Sequence, residues 1–196
     1  MFVQIIEGKL RDSELLQRQM ERWQAQIKPG ASGYLGSTSG VTEDGTAITL
    51  VRFDSQDSAR ANSVRPEQGA WWEATAQAFD GEVVFHDCQD VDLIFGGGSD
   101  AAGFVQVMQG RAADREQLRT VGRAMDDSLR AMRPDVLGGV VCWHGDRDFT
   151  QVMYFTSEDE ARKGEAGSQQ SAEMDEWGKL LDGPVRFLDL RHPEYD

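Results

Sequence analysis

Cysteine is scarce in this chain: Cys88 and Cys142 are the only two in 196 residues, and they form no CxxC pair. A disulfide framework therefore does not organise the fold, and a reduced, cytoplasmic setting is expected. Long hydrophobic runs are also missing. No apolar stretch approaches the roughly 18–20 residues that span a bilayer. The opening Met1-Phe2-Val3-Gln4-Ile5-Ile6-Glu7 has no basic segment and reads as a strand, not a signal peptide. The three histidines are scattered without close ligand spacing, so no metal site is expected. There is no GxGxxG before a helix, no phosphate-binding P-loop, no HExxH and no GxSxG, so no cofactor is expected either. Basic residues are few: 20 Lys and Arg stand against 34 Asp and Glu, a net charge of −14. Divided at Phe104, the halves carry −8 and −6, so neither is a basic domain. A field of this sign repels phosphate backbones and anionic headgroups, which argues against nucleic acid and membrane surfaces as partners. Its plain consequence is solubility.

What the chain has is core-forming material and a repeat. Hydrophobic residues make up 39%, with five Trp and nine Phe, enough to exclude wholesale disorder. Phe2-Val3-Gln4-Ile5-Ile6-Glu7-Gly8-Lys9 matches Phe104-Val105-Gln106-Val107-Met108-Gln109-Gly110-Arg111 at an offset of 102. In the same register Asp12, Glu14 and Leu16 meet Asp114, Glu116 and Leu118. Phe53, Ser55, Asp57, Ala59 and Arg60 meet Phe155, Ser157, Asp159, Ala161 and Arg162. Asp80-Gly81 meets Asp182-Gly183. The register slips once, where Lys28-Pro29 matches Arg133-Pro134, making the first helix of repeat 2 three residues longer. Self-similarity of this kind decides the architecture before any local reading does.

Each repeat reads as strand, helix, strand, strand, helix, strand. The first strands are residues 2–7 and 104–109. Asp12 and Asp114 are N-caps of helices whose apolar residues follow three-and-four spacing: Leu16, Met20, Trp23 and Ile27 in repeat 1, and Leu118, Val121, Met125, Leu129 and Met132 in repeat 2. Glu43-Asp44-Gly45 turns the first hairpin. Second helical regions open at Asp54 and Thr156, and Pro66 breaks the first of them. The last strands are 82–88 and 184–190. This is α+β: two tandem ferredoxin-like βαββαβ repeats, 1–94 and 104–196, joined by a flexible Gly-rich linker, 95–103. Helices cover one face of such a sheet, so the other face calls for a second sheet. The expectation is an intramolecular pseudo-dimeric α+β barrel packed sheet to sheet, existing as a monomer or pairing again as a homodimer.

Phe2-Val3-Gln4-Ile5-Ile6-Glu7-Gly8, Val51-Arg52-Phe53-Asp54-Ser55 and Arg65-Pro66-Glu67-Gln68 running into Trp71-Trp72 resemble the dimeric α+β barrel superfamily, and within it the antibiotic-biosynthesis-monooxygenase-like (ABM) domains. The resemblance implies a small, largely apolar or aromatic ligand held between sheet and helices, and cofactor-independent monooxygenation as the activity. Members of that kind hold an aromatic substrate with Asn, Trp, Tyr and Arg groups, types that Asn62, Trp72 and Arg52 supply. The superfamily also implies two alternatives, a non-catalytic or stress-associated ligand-binding barrel and a haem-binding protein. Haem-degrading members use a helical His, which the second helix of neither repeat contains.

Residues that break the repeat mark repeat 1 as the candidate site. Trp71 faces Glu173 at the offset, lies off the apolar helical stripe and is expected at a pocket rim. Trp72 faces Met174. Arg52 faces Tyr154, and His86 has no histidine at the equivalent position of repeat 2. His86, with an ordinary pKa near neutrality, is the candidate general base. Asn62 and Arg65 lie at the helix break, the expected pocket mouth. His144 and His192 read as solvated. Gln4 and Gln106, polar in the middle of apolar strands, each need a partner.

Overall fold

The computed structural model describes residues 1–168 and 177–196, with the backbone alone for 126–128 and 168. Glu173 and Met174 lie outside the described residues. The chain divides into two compact units: Met1–Gln89 with Glu194–Asp196, and Asp90–Pro193.

The first unit runs β1 (Phe2–Leu10), α1 (Ser13–Arg22), β2 (Tyr34–Val41), β3 (Thr46–Phe53), α2 (Gln56–Ser63), α3 (Pro66–Ala76) and β4 (Phe79–Cys88). The second runs β5 (Asp90–Ile94), β6 (Phe104–Arg111), α4 (Arg115–Met132), β7 (Val136–His144), β8 (Asp148–Phe155), α5 (Glu158–Ser168) and β9 (Arg186–Leu190). A last short strand, β10 (Glu194–Tyr195), returns to the first unit. The expected order of elements is present in both. Asp12 caps α1 by accepting from the Leu15 amide, and Asp114 caps α4 by accepting from the Gln117 amide. The second helical region begins one residue later than the sequence suggested, because Ser55 is the cap and accepts from the Ser58 amide. Pro66, lacking an N–H, starts α3 where α2 has ended.

The two sheets repeat each other in register. Phe2 faces Phe53 and Gln4 faces Val51 and Asp87; Phe104 faces Phe155 and Gln106 faces Met153 and Asp189. Gln4 Nε2 donates to Asp87 Oδ1 at 2.7 Å, and Gln106 Nε2 donates to Asp189 Oδ1 at 3.1 Å. The polar mid-strand glutamines thus find matching carboxylates on the neighbouring strand. In the first unit Phe85 touches Trp72 of α3, and Phe53 touches Tyr34, which packs on Trp23. The sheet face of Phe2, Gln4, Phe53, Phe85 and Asp87 therefore meets the helices. Alternation puts Val3, Ile5, Arg52, His86 and Cys88 on the opposite face. Cys88 and Cys142 are buried free thiols.

Each sheet has a fifth strand that the repeat pattern did not announce. The strand orders are β10-β2-β3-β1-β4 and β5-β7-β8-β6-β9, all antiparallel. Residues 90–94, assigned from sequence to the first repeat, pair with β7; residues 194–195, assigned to the second, pair with β2. Asp92 faces Val141 and Glu194 faces Ser39, again 102 apart on both strands. The exchange is reciprocal and satisfies the open edges of β2 and β7. The linker that follows β5 is packed, not free. Gly97 O lies against Gly138, where a Cβ would meet it at 1.9 Å, and Arg130 stacks over Phe95 at 4.2 Å.

A carboxylate anchors β5. Asp92 Oδ2 accepts from Arg119 Nε at 2.6 Å and Trp143 Nε1 at 2.9 Å, and Oδ1 accepts from Arg123 Nη2 at 2.7 Å. Burial pushes this carboxyl up, but the hydrogen bonds from Arg119, Trp143 and Arg123 outweigh it together and hold it below its ordinary value. Asp92→Ala leaves Arg119, whose side chain is 13% exposed, without that partner. A loss of about 2 kcal/mol in urea unfolding is expected, the scale of one broken charge-assisted contact. The same substitution at Asp100, an exposed linker carboxylate, is expected to change stability by less than about 0.5 kcal/mol.

Candidate functional site

The helical layer of the first unit carries a run of seven aromatic rings. Phe53 meets Tyr34 at 5.7 Å between centroids, Tyr34 meets Trp23 at 5.7 Å, and Trp23 meets Trp71 at 5.2 Å. Trp71 continues to Trp72 at 6.1 Å, which contacts Phe79 at 6.4 Å and Phe85 at 5.0 Å. These edge-on and tilted arrangements are the ones ring quadrupoles favour. Phe85 ends the run on the edge strand β4 and is 41% exposed.

The local backbone explains how the run is assembled. After Arg22 the first helix widens into one π turn, Trp23–Ile27, followed by a 3-10 turn, Lys28–Gly30. The Lys28 amide donates to Trp23 O, five residues back, and both Trp23 and Ile27 are buried. Single π turns of this kind recur at functional sites. The second unit has none at this place, since α4 continues as regular helix from Arg115 to Met132. Trp71 Nε1 donates to Gln19 O at 2.7 Å, tying α3 to α1 just before the widening.

At the other end of the run Asp196 enters from the exchanged strand. Its Oδ2 accepts from Trp23 Nε1 at 3.1 Å and Tyr34 OH at 3.0 Å, and its Oδ1 accepts from Lys28 Nζ at 2.5 Å. Its side chain is 10% exposed. The Ser37 amide donates to Asp196 O at 2.8 Å, extending the β10–β2 ladder by one residue. Burial pushes the Tyr34 hydroxyl well above its ordinary value, and the Asp196 charge adds to this against a hydrogen bond with Ser37. Tyr34 is therefore a proton donor throughout the physiological range. Burial also pushes the Asp196 carboxyl up, but hydrogen bonds from Lys28, Tyr34 and Trp23 prevail and hold it below its ordinary value.

The second unit shows that this polar corner is not required by the fold. At the offset of 102, Trp23, Tyr34 and Asp196 correspond to Met125, Val136 and Ile94, all apolar. Lys28 corresponds to Arg133, which is satisfied locally by Asp135 at 2.8 and 2.9 Å. Gly30 stands where that acid would be, and Lys28 turns to Asp196 instead.

The six residues singled out in the sequence fall in different places. Asn62 is buried, and its Oδ1 accepts from Arg65 Nη1 at 2.8 Å. Arg65 also donates through both terminal nitrogens to Ile27 O, at 3.1 and 3.2 Å, and through Nε to Glu67. The pair thus fastens the α2–α3 break to the end of the π turn instead of forming a mouth. Gly30 makes room for it, because a Cβ there would meet Arg65 Nη2 at 2.3 Å. Trp71 is 8% exposed, so it is a core ring and not a rim. Trp71 and Thr75 are the buried side of α3, and Trp71 packs with Trp23 and Ile27 of the π turn. Trp72 is half-buried between Trp71 and Phe85. Arg52 and His86 lie on the opposite sheet face, on β3 and β4, with β1 between them, about 10 Å apart laterally. Arg52 Nε is buried without a hydrogen-bond partner, and His86 O accepts from the Cys88 thiol at 3.7 Å. The structure therefore does not bring His86 and Arg52 together with the two tryptophans. His144 closes β7 half-buried, with Nε2 3.0 Å from Thr150 Oγ1, and is not a solvated tip. Lys28, Tyr34 and Asp196 were missed. The signal available for them was the loss of the Asp135 equivalent beside Lys28.

No protein-family model and no curated protein matches the chain. Solved structures do. A "putative monooxygenase" from Lactobacillus acidophilus NCFM superposes with a TM-score of 0.70 at 12% identity, covering 96% of this chain and 92% of its own. An anthrone oxidase-like protein gives 0.66 at 10% identity, covering 99% and 92%. An uncharacterized ferredoxin fold protein from Listeria monocytogenes, related to antibiotic biosynthesis monooxygenases, gives 0.53 at 9% identity, covering 99% and 96%. No described helix is long and apolar enough to cross a membrane.

The low folded pKa of Asp196 sets a pH dependence. A carboxylate held below its unfolded value contributes stability above that value, near pH 4, and loses it as pH falls through the folded pKa. Hydrogen exchange of the Ser37 amide is expected to accelerate below about pH 4 in the parent chain. In Asp196→Asn it is expected to lose that acid dependence. The shared geometry over nearly the whole chain establishes that this protein has the ferredoxin-type α+β fold found in proteins related to the antibiotic biosynthesis monooxygenases.

Proposed function

We propose that this is an ABM-like protein whose first unit binds a small aromatic molecule at the ring ladder on the helical side of its sheet. The observation that carries this reading is the asymmetry between repeats. Seven rings run in contact from Phe53 to Phe85 in the first unit. In the second unit Trp143 pairs with Phe149, and Phe104 pairs with Phe155. A fold that needs only a core is satisfied by the second arrangement. The open end of the ladder is Trp72 against the exposed edge of Phe85, where a flat ligand gains both apolar burial and ring contact.

The test is a titration of the whole chain with 1-naphthol, followed by tryptophan fluorescence. Saturable quenching is expected. Trp72→Ala is expected to weaken it about tenfold, the scale of one lost ring contact with its burial. Phe187→Ala, at the equivalent exposed edge position of the second unit, is expected to leave it unchanged. A flat titration of the parent chain would remove the reading.

Cofactor-independent oxygenation of the bound molecule is a second reading, favoured by what the structural neighbours are called. An electron-rich phenol would need a base before reacting with oxygen. His86 is the histidine of the first unit, but it leaves the sheet on the face opposite the ladder. Oxygen uptake with 1-naphthol that disappears in a folded His86→Ala variant would give His86 the role of base. Uptake that persists in that variant would take the role away.

A further inference from the structure

We propose that Trp23, Lys28 and Tyr34 form a receptor for the carboxylate of an aromatic acid, and that the side chain of Asp196 occupies it as an internal stand-in. The inference rests on the ring-ladder reading and adds to it the functional group by which a ligand is oriented. Three donors of different kinds converge on one carboxylate: an indole N–H at 3.1 Å, a phenol O–H at 3.0 Å and an ammonium at 2.5 Å. Charge-assisted hydrogen bonds of this sort are short and strong, and two donors sharing one oxygen while a cation takes the other is a complete carboxylate cradle. Tyr34 stays protonated because burial and the adjacent negative charge both resist its ionisation, so it donates at any physiological pH. Lys28 lies 5.7 Å from the centroid of the Tyr34 ring, which holds the cation at the edge of the aromatic wall.

The position of the cradle decides the ligand class. Two of its donors, Trp23 and Tyr34, are the third and second rings of the ladder, with Phe53 and Trp71 beyond. An anion bound there has aromatic surface on two sides, so a carboxylate joined to a flat ring fits, whereas a carboxylate on a polar chain would leave those rings unused. The same corner of the second unit has Met125, Val136 and Ile94 in place of Trp23, Tyr34 and Asp196, and its cation, Arg133, is engaged by Asp135. A polar corner that one repeat builds and the other does without is not a demand of the fold.

β10 has two residues, and its ladder to β2 consists of Glu194 with Ser39, Tyr195 with Thr38 and the Ser37–Asp196 pair. Its counterpart β5 has five residues and is fastened by Asp90 and Asp92 to Arg115, Arg119 and Arg123. Among the described ion pairs, Lys28–Asp196 is the one that fastens the segment 194–196. A soluble aromatic carboxylate can therefore compete for the cradle by releasing a short strand and leaving the rest of the sheet in place.

The experiment compares 1-naphthoate with its neutral amide, 1-naphthamide, by calorimetry on the whole chain and on Asp196→Ala. Removing the stand-in is expected to tighten 1-naphthoate at least about tenfold while leaving 1-naphthamide within about twofold. Adding Lys28→Gln to Asp196→Ala is expected to reverse the gain. As a measure independent of variant folding, saturating 1-naphthoate on the parent chain is expected to speed hydrogen exchange at the Ser37 and Asp196 amides, and 1-naphthamide is not. If both probes bind Asp196→Ala equally, the aromatic site stands and the carboxylate receptor falls. If neither probe binds either chain, the ring-ladder reading falls as well. If 1-naphthoate binds the parent chain with the Ser37 and Asp196 amides as protected as before, the stand-in role of Asp196 is overturned.

Discussion

An open β-sheet edge presents unpaired N–H and C=O groups that must find partners, and in this protein the partners come from the far end of each repeat. β5 follows the first repeat yet completes the edge at β7, and β10 follows the second yet completes the edge at β2. Backbone pairing alone would leave such short strands weakly held. Each is therefore pinned by a carboxylate that reaches the helical side of the sheet and accepts from a tryptophan indole and a basic side chain. Asp92 does this for β5 with Trp143, Arg119 and Arg123, and Asp196 does it for β10 with Trp23, Lys28 and Tyr34.

The two anchors use the same chemistry with different consequences. Around Asp92 the cations are arginines on one regular helix, reinforced by stacking of Arg115 over Trp143 at 4.7 Å. Planar guanidinium groups suit a fixed, multiply bonded junction. Around Asp196 the cation is a single lysine placed by a π turn, and the neighbouring rings lead away into a ladder that ends at the exposed Phe85. One junction is a structural rivet. The other joins a strand end to an aromatic surface.

Divergence between tandem copies separates what the fold needs from what it tolerates. The Gln4–Asp87 and Gln106–Asp189 pairs are kept in both units, as are the Asp12 and Asp114 caps and the strand registers. These belong to the architecture. Trp23, Lys28, Tyr34, Trp71, Trp72 and Asp196 belong to one copy. Arg52 and His86 also differ between copies, but alternation along the strands sends them to the other sheet face.

The sequence by itself determined the repeat, the order of elements, the capping residues, the break at Pro66 and the resemblance from which the fold was expected. All of these are written in local periodicity or in the self-similarity of the two halves. It also flagged the first repeat as the unusual one. Only the tertiary structure decided which strand completes which sheet, because edge pairing joins residues 49 apart in one case, Asp92 with Val141, and 155 apart in the other, Glu194 with Ser39, with no local signature. It alone placed Trp71 in the core, because the buried side of α3 is set by what packs on it, here Trp23 and Ile27 of the π turn. The meeting of Lys28, Tyr34 and Asp196 was beyond the sequence for the same physical reason. Their donors and acceptor lie up to 173 residues apart, counting Trp23 with them, and converge only when the last strand folds back.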